Sequence, residues 1–239
     1  MGIAPATGAV TGVYTVGDDP QATPTYQAFE TSVAPPHAPT GAGRVYSDGL
    51  GQYFEVGGTD AEGAALQVVS ILDVFTGEWG IRELQGADLA VVRAAAYDGR
   101  TRGVWVLSEG ELGVELGRVD LDDGQVTMVV RLGELWAPSS ESRFHLTIGF
   151  RGELVVSQTG EAGLRAVVLH VNDDTTVSFL GTVQSDGVFP GEPIATRGTV
   201  YAVEQLGSGV DVDFEVRRFS HHDLGQNPDG LIVGIGGSP

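Results

Sequence analysis

Short apolar runs return along this chain at a nearly fixed interval, and that interval is what most restricts its fold. Runs begin at Val13, Tyr53, Val104, Leu154 and Val200, spaced 40, 51, 50 and 46 residues apart. A second set, Ala28, Val74, Leu121, Val171 and Phe219, is spaced 46, 47, 50 and 48. A period near this length whose units read as strands marks a repeat architecture, most often a propeller. The expected blocks are about 1–43, 44–91, 92–142, 143–191 and 192–239.

The units do read as strands. No stretch holds apolar residues at helical spacing for three turns. Val, Thr, Tyr and Phe fill short alternating runs, as half-buried strands require. The fourth block predicts strands over 144–150, 154–158, 165–171 and 177–183. The third predicts 92–97, 104–108, 114–121 and 126–132, and the second 44–47, 53–56, 66–75 and 79–84. The fifth predicts 194–196, 200–205, 210–219 and 231–235. In the first, 3–7, 10–16 and 25–31 fit three strands. Its fourth would fall where Pro35, Pro36 and Pro39 cannot donate to a ladder, so this block is expected to lack an outer strand.

A four-stranded block of this size cannot bury both faces alone, so neighbouring sheets must stack around an axis. Two arrangements satisfy this. Either five blades close a ring within the chain, which is simpler, or the chain is a partial propeller completed by another segment or chain. The fold expected is therefore all-β, a single propeller domain of five four-stranded blades over 1–239.

Composition narrows the function by exclusion. The chain has no cysteine, which removes disulfides, thiolate nucleophiles, zinc–thiolate sites and iron–sulfur clusters. All 13 basic residues are arginine. Without lysine there is no Schiff-base chemistry, no pyridoxal phosphate anchor and no Walker-type phosphate loop. A net charge of −19 repels the phosphate backbone and anionic lipid, so neither nucleic acid nor an acidic membrane surface is expected as partner. No run approaches the roughly 20 apolar residues of a spanning helix, so no membrane insertion is expected. The first residues lack the basic flank and apolar stretch of a signal peptide. The lysine-free, Ala-, Gly- and Arg-rich composition suits a GC-rich bacterial genome.

The second block carries a finer pattern. It reads RVYSDGLGQYFEVGG over 44–58 and SILDVFTGEW over 70–79. An arginine precedes the inner strand (Arg44), a glycine pair closes the second strand (Gly57, Gly58) and an aromatic follows the third-strand turn (Trp79). In these places the block resembles a Kelch motif. The third and fourth blocks keep Arg93 and Arg143 but carry Ser108-Glu109 and Ser157-Gln158 for the glycine pair, and the fifth has Glu204-Gln205. The resemblance implies a partner-binding scaffold that presents loops to proteins or glycans.

Arg44, Arg93 and Arg143 occupy equivalent positions, 49 and 50 residues apart. Around an axis, three guanidinium groups would approach one end of a channel and could clamp a carboxylate or phosphate in bidentate fashion. The alternative is structural, each arginine bonding carbonyls or a carboxylate of a neighbouring blade. Asp211, Asp213 and Glu215 alternate with apolar residues and so share one strand face. Three oxygen donors make calcium a candidate cofactor, and no other cofactor is expected. A straight strand, however, spreads such ligands roughly 7 Å apart. A charged strand that discourages edge pairing is the competing account. His221-His222-Asp223 follows in a turn, while His145 and His170 belong to another block. Asp73, Asp120 and Asp122-Asp123 suit turn capping. No Gly-x-Ser-x-Gly elbow is present, and no spacing links Ser and His into a triad.

The expected role is a non-catalytic binding or scaffolding module recognising protein or glycan, part of a larger secreted or surface protein. An extracellular or cell-surface setting is therefore favoured. The loops 59–63, 110–113 and 136–141 are the expected contact surfaces, with Trp136 as an exposed aromatic anchor. The competing expectation is a carbohydrate-active enzyme at the channel mouth, which would need two facing carboxylates about 5–9 Å apart.

Overall fold

The computed structural model describes residues 2–3, 10–15, 23, 25–33, 43–47, 50–111, 113–133, 143–149, 151–160, 163–173, 175–196, 199–207, 212–220 and 232–233. Among them every regular element is a β-strand, and the strands form five sheets. The chain divides into two compact units, Met1–Leu84 and Gln85–Pro239.

The first unit holds two sheets. β1 (Gly2–Ile3), β2 (Val10–Thr15) and β3 (Thr25–Val33) pair in that order, each antiparallel to the last. The proline-rich stretch expected to replace a fourth strand lies outside the described residues. β4 (Arg44–Ser47), β5 (Gln52–Val56), β6 (Val68–Asp73) and β7 (Trp79–Glu83) form a four-stranded antiparallel meander. Its last hairpin is made by Asp73, whose carboxylate accepts the N–H groups of Phe75 at 2.8 Å and Thr76 at 3.1 Å. Gly77 completes the turn at φ 75°, where a side chain would be strained.

The second unit holds three sheets. β8 (Gln85–Gly86) is a short parallel addition to β12 (Gln125–Gly133). β9 (Val91–Asp98), β10 (Gly103–Gly110), β11 (Gly113–Asp120) and β12 make an antiparallel meander. β13 (Arg143–Ile148), β14 (Glu153–Gly160), β15 (Gly163–Val171) and β16 (Val177–Ser185) make the next. β17 (Ile194–Thr196), β18 (Thr199–Leu206) and β19 (Asp213–Ser220) make the third.

One strand lies elsewhere than the sequence predicts. The segment 231–235, expected as the fourth strand of the last sheet, contains β20 (Ile232–Val233), which pairs with Val130 and Arg131 of β12. The reason is an open edge. β8 occupies β12 only at Gln125 and Val126. Ile232 and Val233 satisfy further backbone groups on that same edge, and the last sheet is left with three strands among the described residues.

The three sheets of the second unit stack in sequence order, and the pleat explains how. Along β14, Leu154 and Val156 point to one side. With Val167 and Leu169 they pack on Trp105, Leu107 and Leu116 of the preceding sheet. Val155 points the other way and, with Ala166 and Val168, packs on Val200 and Ala202 of the following one. The β13–β16 sheet is thus covered on both faces, which is why 154–156 reads as an unbroken apolar run. The first strands lie side by side: β13 touches β9 and β17. The hydroxyl of Thr147 donates to the carbonyl oxygen of Pro193, just before β17, at 2.8 Å.

Polar ties brace the β9–β12 sheet and link it to the next one. In the β9–β10 turn, buried Asp98 accepts the backbone N–H of Arg100 at 3.0 Å, the Thr101 hydroxyl at 3.0 Å and the Arg100 guanidinium at 3.3 Å. Arg100 Nη2 also reaches the carbonyl oxygen of Val171 at the end of β15. Arg118 bonds the carbonyl oxygen of Thr101 at 2.7 Å and Asp120 at 3.1 Å.

Candidate functional site

The predicted arginines are placed as follows. Arg44, in the first unit, stands directly across from Glu55, and its Nε donates to Glu55 Oε1 at 2.7 Å. Glu55 is 6% exposed and also accepts the Tyr53 hydroxyl at 3.3 Å. Burial, then the Glu55 carboxylate, pushes the Tyr53 phenol far above its usual range. Trp79 meets Tyr53 edge-on at 6.1 Å, so Arg44 and Trp79 frame one packed cluster around Tyr53 and Glu55. Arg93 and Arg143 lie in the second unit, at the starts of β9 and β13. Arg93 is paired with Glu109 at 2.5 Å. Arg143 is exposed, and among the described residues no ion pair involves it. The first two guanidinium groups therefore spend charge on carboxylates of their own sheets.

Arg143 lies close to a small polar group that sequence spacing did not link. His145 is opposite Ser157 across the β13–β14 ladder, and its Nε2 lies 2.8 Å from Thr159 Oγ1. Ser157 Oγ is buried with no hydrogen-bond partner among the described residues. Burial first, then the nearby Arg143 charge, pulls the His145 pKa below its ordinary value. A neutral imidazole beside two hydroxyls has parts of a nucleophilic centre, but among the described residues no carboxylate bonds its other nitrogen to orient it. The signal in the sequence was the cross-strand offset: residues 145 and 157 share a face only once the hairpin register is known.

Asp213 and Glu215 share one face of β19, and Asp211 lies outside the described residues. The same face carries Arg217, 3.3 Å from Glu204 and 3.9 Å from Glu215, so a cation already sits among these acids. Among the described residues no group of three or more His, Asp or Glu is arranged to hold a metal. Trp136, the loop around it and His221-His222-Asp223 also lie outside the described residues.

Two surface features were not anticipated. One is a cleft of about 190 Å³ between Arg118, Thr127 and Met128 on one side and Thr175, Thr176 and Val177 on the other. Typical small-molecule sites span about 300–1,000 Å³. The cleft is below that range, and its guanidinium is already tied to Asp120 and Thr101. The larger feature is the outer face of the β17–β19 sheet. Cross-strand pairing puts Ile194, Tyr201, Val203, Gln205, Phe214, Val216 and Arg218 together on that face. Ile194 is 55%, Phe214 62% and Val216 63% exposed. The opposite face, through Ala195, Val200 and Ala202, is buried against the preceding sheet. An apolar sheet face open to solvent is unlike the covered faces of β13–β16, and such patches mark contact surfaces.

No protein-family model matches the sequence, and no curated protein matches it. Solved structures align with part of the chain at low identity. A chain of the nidogen/laminin complex aligns with a TM-score of 0.48 and 13% identity, over 76% of this chain and 60% of that one. Hydrazine synthase of Kuenenia stuttgartiensis aligns at 0.44 and 14%, over 71% and 46%. The WD40 domain of SCAP from fission yeast aligns at 0.43 and 8%, over 72% and 40%. The chain spans 60% of the first of these structures and less than half of the other two.

Proposed function

We propose that the sheets are blades of a partial, Kelch-like propeller whose last blade keeps one face open, and that the chain is a non-catalytic module recognising protein. The stacking of three consecutive sheets with their first strands side by side supports the architectural part. The observation that carries the functional part is the open apolar face of β17–β19. It holds two large side chains on a rigid sheet, Phe214 and Val216, with Tyr201 and Arg218 beside them. Aromatic and arginine side chains around an apolar centre are the usual makings of a protein-binding hot spot.

The test is selection of displayed peptides on the intact chain, repeated on an Ile194→Ser/Val203→Thr variant. Both substitutions lie on the open face, so the fold is expected to tolerate them. Enrichment of a sequence family by the parent protein and its loss on the variant supports the reading. Equal enrichment on both, or turnover of an aryl-glycoside panel by the parent, overturns it.

A further inference from the structure

The edge of β19, as distinct from the face it shares with β18, is self-complementary. Among the described residues β19 has one neighbour, β18, whereas the third strands of the two preceding sheets, β11 and β15, each have two. Among the described residues nothing takes the position that β12 and β16 take there, and Asp213 to Arg218 are all exposed. Such an edge presents unpaired N–H and C=O groups to any extended strand.

We propose that this edge pairs with the β19 edge of a second copy of the chain, antiparallel, about a two-fold axis at Val216. The sequence of the strand argues for this occupant. It reads Asp213-Phe-Glu-Val-Arg-Arg-Phe219. Two copies crossing at Val216 place Glu215 of each opposite Arg217 of the other, giving two ion pairs. They place Phe214 opposite Arg218, giving two guanidinium–ring contacts. Val216 meets its own counterpart on the axis. Residues directly opposite in an antiparallel ladder share a face. Val216, Phe214 and Arg218 therefore meet on the open apolar face, and Glu215 and Arg217 meet on the other. The contact is isologous, as a closed dimer requires. The segment Asp213–Arg218 carries two acids and two arginines, so it is locally neutral although the chain carries −19. A basic extended partner would meet Arg217 and Arg218 at the same edge. The charges of β19 thus disfavour a strongly basic strand and match those of its own copy.

A single strand pair buries far less than the roughly 1,200–2,000 Å² of a stable complex. The dimer is therefore reversible and concentration-dependent. Pairing would join the two open faces into one broader apolar surface. This inference goes beyond the recognition reading, because the edge can pair whether or not the face selects a peptide.

The experiment is a charge-swap complementation followed by sedimentation velocity on the full chain. The parent is expected to dimerise with rising concentration. Glu215→Arg alone sets arginine against Arg217, and Arg217→Glu alone sets glutamate against Glu215, so each variant is expected to remain monomeric. Mixed in equal amounts, the two restore both ion pairs and are expected to form a heterodimer at least tenfold more stable than either homodimer. Misfolding cannot produce that rescue. The register has its own readout. The chain has no cysteine. Val216→Cys is expected to yield a disulfide-linked dimer under mild oxidation, because opposed positions on the axis lie within disulfide reach. Cross-linking of Glu215→Cys in preference to Val216→Cys overturns the axis at Val216. A parent monomeric up to hundreds of micromolar, or a dimer indifferent to both charge variants, overturns the proposal. Peptide selection by the open face can succeed under either result, so the two readings fail separately.

Discussion

Gly152, in the turn between β13 and β14, leaves the space into which the guanidinium of Arg100 reaches from the β9–β10 turn. A Cβ at position 152 would collide with all three outer atoms of that guanidinium, and the backbone there has φ +86°. Both the left-handed backbone and the close approach therefore call for glycine. Gly152→Ala is expected to destabilise the protein by about 1–3 kcal/mol. Arg100→Ala removes the ion pair of buried Asp98, at a cost of about 1–3 kcal/mol. The double variant is expected to lose less than the sum, because alanine at 100 frees the space that alanine at 152 needs. Urea denaturation of all four proteins measures the coupling. Strict additivity would mean that the two turns do not share that space.

The stacking of sheets makes a sharper claim. Leu154 belongs to the cluster on one side of the β13–β16 sheet and Leu164 to the cluster on the other. Both are fully buried, so Leu154→Ala and Leu164→Ala are each expected to cost about 2–5 kcal/mol. Phe214→Ser, on the open face of the last sheet, is expected to stay within about 0.5 kcal/mol of the parent. Denaturant midpoints at constant slope decide this. A large loss at Phe214 with little loss at Leu164 would place the covered and open faces the wrong way round.

Much of this architecture was legible because a covered strand leaves a simple trace. Tyr53, Val104, Leu154 and Val200, chosen only for their spacing, all lie in second strands and are buried. Val13 lies in β2. The doubly buried strands β10 and β14 announced themselves as unbroken apolar runs. The destination of 231–235 was not legible, because a two-residue pairing depends on which distant edge is open and local pattern carries no record of that. The site residues were harder still. Arg44, Arg93 and Arg143 stood out by spacing, yet the partners of the first two, Glu55 and Glu109, are fixed by hairpin register. Arg100 and Arg118, which tie turns and sheets together, carried no periodic mark. The openness of β19 could not be read from its alternation, since a strand with one apolar face looks the same whether or not a neighbour covers it.

The two paired arginines should differ in worth. Glu55 is nearly buried beneath Arg44, whereas Glu109 and Arg93 are both partly in solvent. Arg44→Met leaves a buried carboxylate without its cation and is expected to cost about 3 kcal/mol. Arg93→Met is expected to change stability by less than about 1 kcal/mol, as exposed pairs do. Thermal unfolding of both variants at two salt concentrations checks the contrast. Only the Arg93 pair should show a contribution that fades with salt. Equal losses would show that burial does not separate the two pairs.

His145 sets a pH dependence whose sign follows from its surroundings. The ring is half-buried between β13 and β14, with Thr159 on Nε2 and Arg143 two residues away on the same strand face. Burial and the arginine charge both disfavour the imidazolium, so the folded-state pKa is lowered. The unfolded chain takes up its proton near the ordinary value of about 6.5. The folded chain resists protonation until a lower pH, so in that window the unfolded state binds more protons. Stability from this residue is therefore complete above about pH 6.5 and is lost as pH falls from there through the folded-state value. His145→Gln keeps a hydrogen-bonding group near Thr159 and removes the titration. Between pH 7.5 and 5.5 the parent is expected to lose more stability than the variant, with the difference read from urea midpoints at each pH. The His145 imidazole resonances in the folded parent should titrate below pH 6.5. Parallel curves for the two proteins would place His145 in water rather than between the strands.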